Sequence, residues 1–304
     1  MRAPAPLLAA TAIISLQFGA GLAGRLFTQV PPAAVTGLRM WSAAVLLALL
    51  GARGLRAALT GRGCGQEGIT GRDWLVAASF GLALAAMNFS VYQAIARIPL
   101  GIAVTIEFLG PLAVAVAMSR RLSDLLWVIL ALAGVVLLGR GGPGLAHGGL
   151  AHGHGAALAG VLFALVSAAC WAAYIVLSAA TGKRFAGPSG LVIAMVFGAV
   201  LTTPAAVTSA GAALLRPGVL AAGAAIGLMS SAIPYWLELE TLRRVPARVF
   251  GIWMSLQPAG AALAGLVMLG EVLAPWKWLG IGLVMAASAG AAATARPVHP
   301  VPDA

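Results

Sequence analysis

Charge is what this sequence has least of. Of its 304 residues only 9% are Asp, Glu, Lys or Arg, against about 25% in an ordinary soluble domain. So few charged side chains cannot cover the surface of a water-soluble globule of this length, which excludes a soluble enzyme. The 61% hydrophobic content excludes a disordered chain. Acids are scarcer still, 8 against 19 basic residues, for a net charge of +11. In a chain of mean hydropathy +0.98 that excess is not a nucleic-acid footprint. It raises the question of which side of a membrane the charges lie on. The two cysteines, Cys64 in a polar loop and Cys170 in an apolar stretch, are too differently placed for a disulfide, and no CxxC spacing exists. Three of the four histidines, His147, His152 and His154, fall in AHGGLAHGHG (146–155). That segment reads as a Gly/His-biased loop joining two halves. No metal or cofactor is expected.

What the sequence has in quantity is long apolar runs. A membrane helix needs about 20 predominantly apolar residues, and Lys and Arg punctuate the chain into ten such stretches. They lie at 7–25, 33–51, 74–96, 100–119, 123–140, 156–180, 188–209, 218–239, 247–269 and 275–295. The expected fold class is an all-α membrane protein, because an open sheet edge cannot be satisfied in hydrocarbon. The first run follows a single basic residue, Arg2, and reads as a spanning helix rather than a cleaved signal, since nine more runs follow it. Placing the N-terminus inside puts 13 basic residues on the inner side, among them Arg53, Arg56, Arg62, Arg120, Arg121, Arg243 and Arg244. Five remain outside: Arg25, Arg97, Arg140, Arg216 and Lys277. The positive-inside rule then puts both termini in the cytoplasm. The expected partners are membrane lipids and a small-molecule substrate, with no nucleic acid, and one protomer is expected to suffice.

Ten runs divide into two sets of five, and an odd number of spans inverts a duplicated half. A shift of 147 residues pairs Arg97 with Arg244, Pro99 with Pro246, Pro111 with Pro258, Asn88 with Tyr235, Gln93 with Glu240, and Asp124 with Glu271, without a gap. This predicts two inverted five-helix repeats, 1–145 and 146–304, around a central cavity near the bilayer midplane. Pro111 and Pro258 each remove a helical hydrogen bond in the middle of a span, from the carbonyls of Glu107 and Met254. They are the expected kinks or hinges.

Polar groups inside the runs are the candidate substrate-binding or coupling residues. Glu107, in TIEFLGP, comes first. A carboxylate at that depth costs about 2.5–3.5 kcal/mol, and it suits a proton-exchanging group or the partner of a substrate ammonium. Arg39 can meet a substrate carboxylate, pair with Glu107, or snorkel to the interface. Asn88 and Tyr92 share a helix face at i,i+4. Gln17, Trp171, Tyr174, Tyr235 and Gln257 complete the set, as pocket wall or interhelical glue. Glu238 and Glu240 read as the inner end of a span, with Glu240 paired to Arg244. Asp124 and Glu271 read as acids suited to the positive ends of the helices they precede. Gly223–Gly227 and Gly282–Ala286–Gly290 read as packing faces. A membrane-embedded lipid enzyme would gather His, Asp or Cys near one interface, and a channel would show a ring of repeated groups or a filter loop; neither pattern is present.

The runs IPLGIAVTIEFLGPLAVAV (98–116) and SSAIPYWLELETLRRVPARVFGIWMSLQPAGAALAGLVMLGEVLAP (230–275) resemble the EamA-like branch of the drug/metabolite transporter superfamily. The threonine/homoserine exporter subgroup is the nearest fit. CWAAYIVLS (170–178) and VTGLRMWSAAVLLAL (35–49) look like the same group. The resemblance implies ten helices in two inverted halves. It also implies proton-coupled export of small amino acids or related metabolites across a bacterial inner membrane by alternating access, with other metabolites or drugs as alternative cargo. One position departs from it: the family often has Glu immediately before the second kink proline, where this chain has Gln257.

Overall fold

A computed structural model of the chain describes residues 4–50, 70–119, 125–139, 154–185 and 189–294. Every regular element among them is helical. In chain order they are α1 (Ala5–Leu26), α2 (Pro32–Leu50), α3 (Gly71–Ile95), α4 (Leu100–Glu107), α5 (Leu109–Ser119), α6 (Leu125–Gly139), α7 (His154–Gly182), α8 (Ser189–Ala210), α9 (Pro217–Gly227), α10 (Ile233–Leu242), α11 (Ala247–Met254), α12 (Gln257–Ala264) and α13 (Pro275–Thr294). One π-helical turn, Leu228–Ala232, joins α9 to α10, and another, Gly265–Leu269, continues α12. Asp124, Cys64, His147, His152 and the loop arginines 53, 56, 62, 120, 121 and 140 lie outside the described residues.

Eight helical runs among the described residues are long and apolar enough to cross a membrane: Ala5–Leu26, Pro32–Leu49, Gly71–Ile95, Leu100–Ala117, Gly155–Gly182, Ser189–Leu215, Pro217–Leu242 and Arg248–Leu269. The helix α6 is shorter, and α13 begins with the less apolar Trp276, Lys277 and Trp278. Prolines set several starts, because a missing N–H costs nothing in the first helical turn. Pro217 and Pro275 open α9 and α13, while Pro99 and Pro246 precede α4 and α11 in extended backbone. The start of α3 is closed by Asp73, whose carboxylate accepts the Thr70 N–H at 2.9 Å and pairs with Arg184 after α7 at 3.1 Å.

The bundle is apolar outside as well as inside. Leu75, Ile129, Val176, Trp236 and Leu279 face outward, as suits lipid rather than water. The helices pack α3 on α7 and α8, α2 on α8 and α9, α1 on α9, α10 and α12, α4 on α7 and α12, and α6 on α13. Close approach depends on small residues. A Cβ on Gly134 of α6 would meet the Gly280 carbonyl, and one on Gly280 of α13 would meet the Gly134 carbonyl.

Two packing expectations need revision. Gly223 and Gly227 do pack, against Leu38 and Ser42 of α2. On α13, however, Gly282 and Ala286 are exposed, and the buried face runs through Gly280, Val284, Ala287 and Ala291; only Gly290 of the expected stripe packs, against Trp127. Glu271 was expected to serve the helix that follows it. Its carboxylate reaches across the bundle and accepts the Leu100 N–H, 2.8 Å away, at the start of α4. Gly265 makes room for it, since a Cβ there would collide with that carboxylate oxygen.

Candidate functional site

The site begins with two breaks in the helices. The helix α4 stops at Glu107, and Phe108 (φ −64, ψ −12) turns the chain into α5. The helix α11 stops at Met254, and Ser255 (φ −63, ψ −10) does the same. Pro111 and Pro258 each lie three residues beyond the turning residue, where they cannot donate to the preceding carbonyls. The chain before each break matches as well: Pro99 and Pro246 have φ −52, ψ 139 and φ −56, ψ 143.

Between the breaks lies a cavity of about 390 Å³, within the range of small-ligand sites, about 300–1,000 Å³. Gln17, Arg39, Asn88, Tyr92, Glu107, Pro111, Trp171, Tyr174, Tyr235 and Gln257 all line it. Of the candidate binding, coupling and hinge residues, Pro258 alone is not in its lining; it is buried.

Arg39 turns inward, 8% exposed. Its Nη2 donates to the Ser230 carbonyl at 3.0 Å, its Nη1 to the Tyr92 hydroxyl at 3.4 Å and its Nε to Ser231 Oγ at 3.4 Å. The guanidinium also stands 5.5 Å from the centre of the Tyr92 ring. Among the described residues no carboxylate lies within ion-pair distance of it, so it neither pairs with Glu107 nor snorkels to the interface. A buried cation held only by neutral groups is costly and is available to an anionic ligand. Glu107 is also 8% exposed and accepts a hydrogen bond from Ser167 Oγ of α7 at 2.5 Å.

Aromatic and amide groups fill the wall. Tyr92 is fully buried, with its ring edge-on to Phe27 at 5.8 Å. Trp171 meets Phe108 at 5.1 Å and 90°, and Tyr174 meets Phe80 at 5.2 Å. Asn88 donates to the Leu84 carbonyl at 2.8 Å, and Gln257 Nε2 approaches Met254 Sδ at 3.5 Å. Ser230 and Ser288 also line the cavity, and among the described residues their buried hydroxyls have no partner.

Several polar groups escaped the sequence reading, Ser167, Ser230 and Glu238 among them. Ser167 looked like any serine in an apolar run. Ser230 supplies a backbone carbonyl, which no side-chain pattern reveals. Glu238 was placed at a span end near 239, but α10 continues to Leu242, so Glu238 stands one turn deeper and lines the cavity. Its spacing of three from Tyr235 was the available signal. Glu240 forms the expected local pair with Arg244. Among the described residues no group of three or more His, Cys, Asp or Glu could hold a metal.

Comparison with known proteins follows the same outline. The model of the EamA-like transporter family matches residues 158–292. The threonine/homoserine exporter RhtA of Escherichia coli (strain K12) is 38% identical over 286 residues, 94% of this chain and 90% of that protein. The protein of the same name from Salmonella typhimurium (strain LT2) is 38% identical over the same shares. The uncharacterized transporter YwfM of Bacillus subtilis (strain 168) is 33% identical over 128 residues, 42% of this chain and 43% of its own. A solved crystal structure of a protein aligns over 97% of this chain and 96% of its own, at 21% identity and a TM-score of 0.57. That last likeness is one of fold alone.

Proposed function

The chain belongs to the EamA-like transporter family, and from that premise we propose that it exports small zwitterionic amino acids of the threonine and homoserine kind through the cavity between the two helix breaks. It is a multi-pass membrane protein and a transporter, not an enzyme. The observation that carries the substrate reading is the pairing of opposite chemistries in one apolar enclosure. Arg39, with no carboxylate at ion-pair distance among the described residues, is suited to a substrate carboxylate, while Glu107 is suited to an ammonium or to an exchanged proton. Asn88, Tyr92, Gln17, Trp171, Tyr174, Tyr235 and Gln257 line the path. With an amide at Gln257, Glu107 is the acid left near the breaks to couple export to protons.

The proposed architecture is ten spans in two inverted repeats, 1–145 and 146–304. Three features support it. The packing pairs exchange under the repeat: α3 on α7 corresponds to α9 and α10 on α1, and α2 on α8 and α6 on α13 map onto themselves. The breaks at Phe108 and Ser255 have the same backbone angles. Arg97 bonds Gln93 at 2.7 Å, and Arg244 bonds Glu240 in the corresponding place. In this reading both termini are cytoplasmic, in a bacterial inner membrane, and access alternates by relative motion of the halves.

The test is efflux of threonine or homoserine from loaded cells, with a substrate panel in proteoliposomes with and without a pH gradient. Saturable transport that responds to the gradient is expected. A chain that inserts normally but moves neither amino acid would end the substrate reading. Gradient-independent transport would end the proton coupling.

A further inference from the structure

The cavity holds a second carboxylate. Glu238 is half-buried in the wall, and among the described residues no hydrogen bond or ion pair engages it. Glu107, by contrast, is held by Ser167. An unpaired acid inside a spanning helix is retained at a cost, and a cation entering the cavity would offset that cost.

The surroundings of Glu238 suit an ammonium. Tyr235 precedes it by three residues and shares its helix face. Tyr235 and Tyr174 pack against the same apolar cluster, and both line the cavity. Both phenols lie within electrostatic reach of Glu238. A carboxylate beside two aromatic faces is the usual receptor for a compact organic cation. Arg39 is anchored on Ser230 and Ser231 of the same helical run. Seven residues separate Ser231 from Glu238, about 10 Å along a helix axis. Helical side chains lean toward the N-terminus, by roughly a turn for a long one. Arg39 and Glu238 thus line the same cavity at different heights.

We propose that Glu238, with the rings of Tyr174 and Tyr235, forms the subsite for the substrate ammonium and sets the preference for α-amino acids over α-hydroxy acids. This rests on the exporter reading above and divides its labour. Arg39 takes the carboxylate and Glu238 the ammonium, which leaves Glu107 to the coupling step.

The experiment compares homoserine with 2,4-dihydroxybutyrate, which carries a hydroxyl in place of the amine. Transport of each is measured in proteoliposomes with the wild-type chain, Glu238→Gln and Glu238→Asp. For Glu238→Gln the KM for homoserine is expected to rise at least tenfold, while that for the hydroxy acid changes less than twofold. Glu238→Asp should recover part of the homoserine affinity. Equal losses for both compounds, or no loss for either, would overturn the assignment while leaving the exporter reading intact. A folded wild-type chain that moves no homoserine or threonine would overturn the exporter reading, and the subsite with it.

Discussion

The two broken spans, α4–α5 and α11–α12, have the same backbone and different chemistry. Each begins after a proline in extended backbone, runs eight residues, turns at φ near −64° and carries a proline three residues on. In the first, every residue from Leu100 to Glu107 is buried and the last is an acid held by Ser167. In the second, the residues before the break are mostly half-buried and end at Met254, whose thioether meets Gln257. The shape of a kink is thus set by where proline removes a donor, and it survives replacement of its neighbours. Charge is not duplicated with it, so a repeated scaffold can carry a one-sided site.

The largest expected effect tests that one-sidedness. Glu107→Gln should insert and fold normally yet lose at least 100-fold in homoserine efflux. Adding Met254→Glu, which moves the acid to the other break, should not restore it. Ala20 stands where the 147-residue shift would require the hydroxyl of Ser167, so the transplanted acid lacks that serine and meets the Gln257 amide instead. Recovered efflux would show the two breaks to be interchangeable.

A smaller effect is expected from the prolines. Pro111→Ala and Pro258→Ala each restore a helical donor, and efflux should fall roughly tenfold in both, without loss of folded protein. A drop in only one of them would mean that the breaks match in shape but not in use.

Glu271 supports the start of the first broken span. Glu271→Ala should strand the buried Leu100 N–H, at a cost of about 1–3 kcal/mol. Thermal unfolding in detergent should show the loss, with Glu271→Gln retaining part of the stability. Ser167→Ala should cost about 1 kcal/mol of site energy, visible as a several-fold change in efflux with little change in unfolding. Smallest is Arg244→Ala. Its pair with Glu240 is partly exposed, and such pairs are worth about 0–1 kcal/mol; efflux and unfolding should both stay near wild type.

The sequence was most informative where covalent constraint or burial cost leaves a mark. Pro111 and Pro258 announce their breaks because no neighbour can replace a missing donor. Glu107 and Arg39 announce themselves because ions in apolar runs are too costly to be accidental. Distances across the bundle left no such mark. Glu271 carries the right charge for a helix terminus, and only the packing of α4 beside Gly265 reveals which terminus. Glu238 was misplaced by the length of one turn, because the end of an apolar stretch is not the end of its helix. On α13 small residues occupy two faces, and composition alone could not decide which face meets α6.

The contact between Gly134 and Gly280 has a mechanical consequence. Backbone lies against backbone there, with no side chain between to act as a lubricant. The two helices it joins, α6 and α13, come from the first and second halves of the sequence, and α3 with α7 and α2 with α8 are likewise packed across the same divide. The first and second halves of the sequence are therefore interleaved in the bundle rather than set side by side. The Gly134–Gly280 seam is a place where they meet backbone to backbone, and a single methyl on either glycine would wedge them apart.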